Sequence, residues 1–159
     1  MRWRAAALPV LVGLAAVLAL APADRARAQD KEPEVVLPAC GIRYPGGYDP
    51  NTVGVVEGRV ASFSRPAQGP VSFRVESAEE SFTVLAAPSW YWDEQKAALQ
   101  NGDRVRVKGS KTMGADGSLY LVAQEITLPG SENPLILRDG AGKPRWSGCG
   151  PNGCGRGAR

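Results

Sequence analysis

Gly102-Asp103-Arg104-Val105-Arg106-Val107-Lys108-Gly109-Ser110 reads as a turn followed by a strand. Asn101, Gly102 and Asp103 carry turn chemistry: glycine reaches positive φ without strain, and the Asn and Asp side chains bond nearby backbone. Val105 and Val107 then alternate with Arg104, Arg106 and Lys108, the period-2 signature of a strand with one buried face. Gly109 ends the alternation, as happens where a strand bends sharply or another backbone comes close. A turn, a short alternating strand and a glycine, in that order, fit a small closed β-barrel.

Upstream of this stretch, three more strands are expected. The first runs from Thr52 to Phe63, with Val56 and Val60 on one face, Glu57, Arg59 and Ala61 on the other, and Gly58 bending it. The second runs from Val71 to Ser77 and the third from Ser81 to Ala86, together a hairpin with Phe73, Val75, Phe82 and Val84 inward. Pro88 stops the third strand. Good helix formers over Asp93 to Leu99 predict a short helix, with Ser89 as a possible cap. Downstream, the fourth strand extends from Arg104 to Thr112 and the fifth from Ser118 to Leu128, joined by the turn Gly114-Ala115-Asp116-Gly117. Three strands, a helix and two strands is the order of an all-β, five-stranded OB-like Greek-key barrel with one short helix between strands three and four. A hairpin over Leu135-Ile136-Leu137-Arg138, turning at Asp139-Gly140-Ala141-Gly142 and returning through Pro144 to Trp146, is expected as a C-terminal appendage.

The ends of the chain read differently. Arg2 and Arg4 precede an apolar run, Ala5 to Ala21, and Ala26-Arg27-Ala28 is an A-x-A cleavage site. The run is shorter than the ~20 residues a membrane span needs and contains Pro9 and Gly13. Residues 1–28 are therefore expected to be a signal peptide, residues 29–50 an irregular lead-in, 51–148 the barrel, and 149–159 a Gly- and Cys-rich tail. After cleavage the chain is expected to be periplasmic or secreted, with no stable membrane span. Leu37-Pro38-Ala39-Cys40 looks like a lipoprotein box but lies far beyond the apolar run.

Cleavage also changes the charge. The chain carries 19 Lys+Arg and 16 Asp+Glu; the leader holds four of the bases (Arg2, Arg4, Arg25, Arg27) and one acid (Asp24), so 15 of each remain. Zero net charge is no nucleic-acid footprint. There is no His. That excludes Ser-His-Asp and Cys-His catalysis, His-ligated zinc and C-x-x-C-H haem attachment.

Several motifs together resemble a known family. They are Tyr48-Asp49-Pro50-x-Thr52-Val53, Pro88-x-Trp90-Tyr91-x-Asp93, the Gly102–Ser110 stretch, Ala123-x-Glu125-Ile126 and Leu137-Arg138-Asp139-x-x-Gly142-x-Pro144-x-Trp146. They resemble small exported bacterial proteins with a MamS/MamX-type domain, members of which belong to magnetosome biology. The resemblance spans roughly residues 48–148. It implies an exported OB-like barrel and brings no catalytic residues. The haem-binding C-x-x-C-H of some relatives is absent here.

Three sets of residues are candidate sites. Cys149 and Cys154 bracket the turn Gly-Pro-Asn-Gly and suit a disulfide in an exported chain; Cys40 could instead pair with either, and three cysteines could hold a soft metal such as Cu(I). Trp90, Tyr91 and Trp92 form the densest aromatic cluster. They either plug one barrel end or offer a ring to a ligand groove, and Trp146 has the same two readings. Arg104, Arg106 and Lys108 form a basic row on an outer face. Barrels that bind single strands combine such rows with aromatic platforms. Here the outward residues of strands two and three are Ser72, Arg74, Glu76, Ser81 and Thr83, none aromatic, so the row reads as a solvated face. The expectation is a non-enzymatic binding or accessory module without cofactor or metal, docking an envelope protein or small ligand. Binding of single-stranded nucleic acid or oligosaccharide, and metal or redox handling through the cysteines, are the alternatives.

Overall fold

A computed structural model of the chain describes residues 34–147. In chain order the strands are β1 (Val35–Val36), β2 (Arg43–Tyr44), β3 (Val53–Ser64), β4 (Pro70–Glu76), β5 (Ser81–Pro88), β6 (Arg104–Met113), β7 (Leu119–Thr127) and β8 (Leu135–Ile136). A 3-10 turn, Pro50–Thr52, precedes β3, and helix α1 (Ser89–Glu94) lies between β5 and β6. The order of pairing is β5-β4-β3-β6-β7-β8. A parallel pairing of β5 with β7, Thr83↔Tyr120 to Leu85↔Val122, closes β3 to β7 into a five-stranded barrel.

The opening stretch does what its residues dictate. Gly102 sits at φ +95°, a conformation a side chain resists, and its N–H donates to the Val60 carbonyl at 2.8 Å. Asp103 accepts from the Gln100 N–H at 2.9 Å, and Asn101 accepts from the Phe63 N–H at 2.9 Å. The turn is thereby tied to the far end of β3. Val105 and Val107 enter the core while Arg104 and Arg106 stay exposed. At Gly109 the β6–β7 register shifts, and a Cβ there would collide with the Val122 carbonyl. Past this bulge Ser110 is fully buried, so the alternation breaks where the glycine stands.

The core fills from all five barrel strands: Val56, Val60, Phe73, Val84, Val107 and Leu121 are among its residues. One end is closed by α1. The helix was expected over Asp93–Leu99, from propensity; it forms earlier, over Ser89–Glu94, because its aromatic residues have a core to enter. Tyr91 and Trp92 are 6 % and 2 % exposed. Lys96, at φ +52°, ends it. Ser89 is not a cap: its hydroxyl donates to the Pro66 carbonyl and ties the β3–β4 loop to the helix.

Two corrections concern the chain on either side of the barrel. The lead-in, expected to be irregular, carries the β1–β2 ladder and lays Cys40 and Ile42 on the outer face of the β5–β7 seam. There they form a second small core with Leu85, Tyr120 and Val122. The C-terminal hairpin, expected as an appendage, is built in. Strand β8 continues the barrel sheet, and Leu137 and Trp146 are fully buried. The expected signal peptide, residues 1–28, and the tail, 149–159, lie outside the described residues.

Candidate functional site

The aromatic candidates separate into core and surface. Trp146 is 0 % exposed, stacks on Tyr44 at 6.2 Å and meets the tilted Tyr91 ring at 5.5 Å. Trp92 meets Phe63 and Phe73 at 6.3 and 6.5 Å. These rings are packing, the reading in which the helix plugs the barrel. Burial holds the Tyr91 phenol above its ordinary pKa, with Arg145 opposing. Trp90 alone is half-buried, edge-on to Tyr91 at 5.7 Å.

Beside Trp146 lies a residue the sequence reading missed. Arg138 is 1 % exposed. Its guanidinium donates to the carbonyls of Ala123, Pro45 and Gly142 at 3.2, 2.9 and 3.1 Å and lies 5.0 Å from the Trp146 ring. Next to it Gln124 accepts from the Tyr48 hydroxyl at 2.8 Å and donates to the Asp139 carbonyl at 3.1 Å. Gly142 meets the Tyr48 ring so closely that a Cβ would overlap it. Motif pieces from the two ends of the described chain thus meet at one knot. With Arg138 and Gln124 buried, the knot reads as scaffold. Its only sequence signal is membership of the motifs, since alternation after Leu137 points Arg138 outward.

The basic row is on the surface. It is interleaved with carboxylates by register. Glu57 stands opposite Arg106 on the β3–β6 ladder, and the two form an ion pair at 3.1 Å. Lys108 stands opposite Glu125 on β6–β7 and pairs with it at 3.1 Å. Arg59 stands opposite Arg104, two like charges side by side. Such exposed ion pairs contribute about 0–1 kcal/mol each. Like charges directly opposite cost about 0.2–1 kcal/mol. An open cleft is lined by Glu57, Arg59, Arg104 and Arg106, with Gly58 and Glu76 beside them. Arg104, Arg106 and Lys108 are brought together as expected of one strand face. Arg59 joins them only through the β3–β6 register, which no single strand pattern reveals.

A third cluster surrounds Tyr120. Its hydroxyl donates to Asp116 at 2.8 Å. Burial first, and then that bond, push the phenol up to about 12. Asp116 is held below its usual range by the Ser118 N–H and then by the Tyr120 hydroxyl. Cys40 is buried beside them as a free thiol. Cys149 and Cys154 lie outside the described residues. Among the described residues no three or more His, Cys, Asp or Glu converge as metal ligands, and no helix is long and apolar enough to cross a membrane.

A closed five-stranded barrel with this outer charge lattice defines a small OB-like protein. Residues 52–132, about half of the chain, match the MamS/MamX magnetosome protein family, and the chain belongs to that family. No curated protein matches it. Among solved structures it is similar to a mitochondrial single-stranded DNA binding protein from S. cerevisiae. The identity is 14 %, the TM-score 0.40, and the match covers 51 % of this chain and 96 % of that one. A likeness that distant says nothing about a ligand.

Proposed function

We propose that the chain is a non-enzymatic accessory module that docks another protein of the cell envelope through the charged outer face of β3 and β6. One observation carries the reading. The large aromatic side chains at the barrel end are spent on packing, while Glu57, Arg59, Arg104 and Arg106 line an open cleft. Membership of a magnetosome protein family supports an accessory role. The barrel is taken as an OB-type Greek key, on the support of the parallel β5–β7 pairing. The leader is removed after Ala28, and the module works outside the cytoplasm.

Single-stranded nucleic acid is a poorer fit to this face. Stacking platforms supply much of the affinity of such barrels. The outward positions of β4 and β5 hold Ser72, Arg74, Glu76, Ser81 and Thr83 instead. Site-specific photocrosslinking in native cells tests the proposal. A crosslinking residue at position 106 should trap one envelope protein, and the same residue at position 143, on the C-terminal hairpin, should not. Equal trapping from both positions, or none from 106, would overturn it.

A further inference from the structure

The charge lattice of the β3–β6 face is not fully neutralised from within. Glu57 and Glu125 are engaged by Arg106 and Lys108. Arg59 and Arg104, directly opposite one another, form no ion pair with any described residue. Nor does Glu76, the residue opposite Arg59 on β4. Arg59 is nevertheless held in place: its Nη1 donates to the Gly102 carbonyl at 3.0 Å, two residues before Arg104. Both arginines line the open cleft together with Gly58 and Val105. Both arginine side chains are exposed.

A guanidinium offers donors in a planar fork that matches a carboxylate. Two such forks side by side repel each other until an anion lies between them. Charge-assisted bonds from both would then satisfy the oxygens of one carboxylate. The surroundings select among anions. Glu57 and Glu76 border the pair, so a polyphosphate backbone laid across the face would meet a negative charge on each side. A protein segment can present a single carboxylate and keep its other charges away from these two glutamates.

We propose that the Arg59–Arg104 cleft is a carboxylate-binding site for an acidic side chain on an exposed segment of the docking partner. The site deepens the docking function above and rests on it.

The test is fluorescence anisotropy with a labelled peptide that carries one glutamate in an otherwise uncharged sequence, titrated with the protein as isolated from expressing cells. R104Q should weaken binding about fivefold, the loss of charge-assisted bonds at an exposed site. R59Q with R104Q together should abolish it. R43Q, an exposed arginine on β2, should leave it unchanged. Raising salt should weaken the native protein and bring it toward the double variant. R104Q and the double variant are checked for a thermal transition no lower than that of the native protein, so that loss of binding is not loss of fold. Binding that ignores R104Q, or no binding by the native protein, overturns the site. Tighter binding of an oligothymidylate with the same arginine dependence also overturns it, in favour of nucleic acid. If crosslinking from position 106 finds a partner while the peptide result is negative, docking stands and the carboxylate site alone falls.

Discussion

Arg138 donates through Nη1 to the carbonyl of Pro45, 93 residues away in sequence, at 2.9 Å. This bond joins the segment before the barrel to the hairpin after it, inside a shell made by Trp146 and Tyr48. Replacing Arg138 with Met keeps much of the volume and removes every donor. The carbonyls of Ala123 and Gly142 then lose this donor in a buried place. Bonds to charged groups contribute about 1.5–3 kcal/mol each, and orphaned acceptors add to the cost. R138M should lower unfolding free energy by about 3 kcal/mol or more. Urea denaturation followed by tryptophan fluorescence measures it, and R138K should recover only part of the loss because it has one head and no fork.

The neighbouring residues Trp90 and Trp92 should behave differently. Trp92 is 2 % exposed and touches Phe63 and Phe73, so W92A should cost about 3–5 kcal/mol. Half-buried Trp90 should cost about 1 kcal/mol, as an ordinary partly exposed substitution does. Equal losses in thermal or urea unfolding would mean that the helix does not plug the barrel as described.

Tyr120 makes stability sensitive to alkali. Its folded pKa of about 12 lies above the ordinary 10.0, so the fold favours the neutral phenol. That contribution is whole below about pH 10 and is lost as pH rises toward 12. Asp116, held below 3.8, works the other way: its contribution is present above about pH 4 and is lost as pH falls through the lowered value. Urea midpoints measured across pH should therefore fall at both extremes. Y120F should flatten the alkaline fall, and D116N the acid one. An unchanged alkaline slope in Y120F would place the sensitivity elsewhere.

The like-charge pair gives a prediction of unusual sign. R104Q removes a repulsion with Arg59, so it should leave stability unchanged or raise it by about 0.2–1 kcal/mol. The gain should fade near 1 M salt, where screening shortens to about 3 Å. A clear loss of stability would mean that Arg104 serves the fold.

Much of the barrel was legible because alternation is a local signal. Val71, Phe73 and Val75 read inward and are buried, and Gly58 and Gly109 stand where backbones close on one another. The helix was misplaced by several residues because propensity favoured Glu94 to Leu99 while burial of Tyr91 and Trp92 decided the matter. Leu85, Tyr120 and Arg138 were not legible as buried. Leu85 and Tyr120 lie on the outward phase of their strands, Arg138 follows β8, and each is covered by a segment distant in sequence. The charged face was half legible. The row Arg104, Arg106 and Lys108 followed from one strand, but its pairing with Glu57, Arg59 and Glu125 exists only in the register between strands.

The lead-in laid along the β5–β7 seam has a practical consequence for anyone cutting the gene. A fragment trimmed to the family-matched residues 52–132 would keep all five barrel strands and look complete. It would lose Cys40, Ile42 and Tyr44 on one side and Leu137, Arg138 and Trp146 on the other, all of them buried. Leu85, Tyr120 and Val122 would then face water together as a bare apolar strip on a sheet, the kind of surface through which truncated β-domains clump in expression hosts. The smallest unit worth producing therefore begins before Val35 and ends after Trp146.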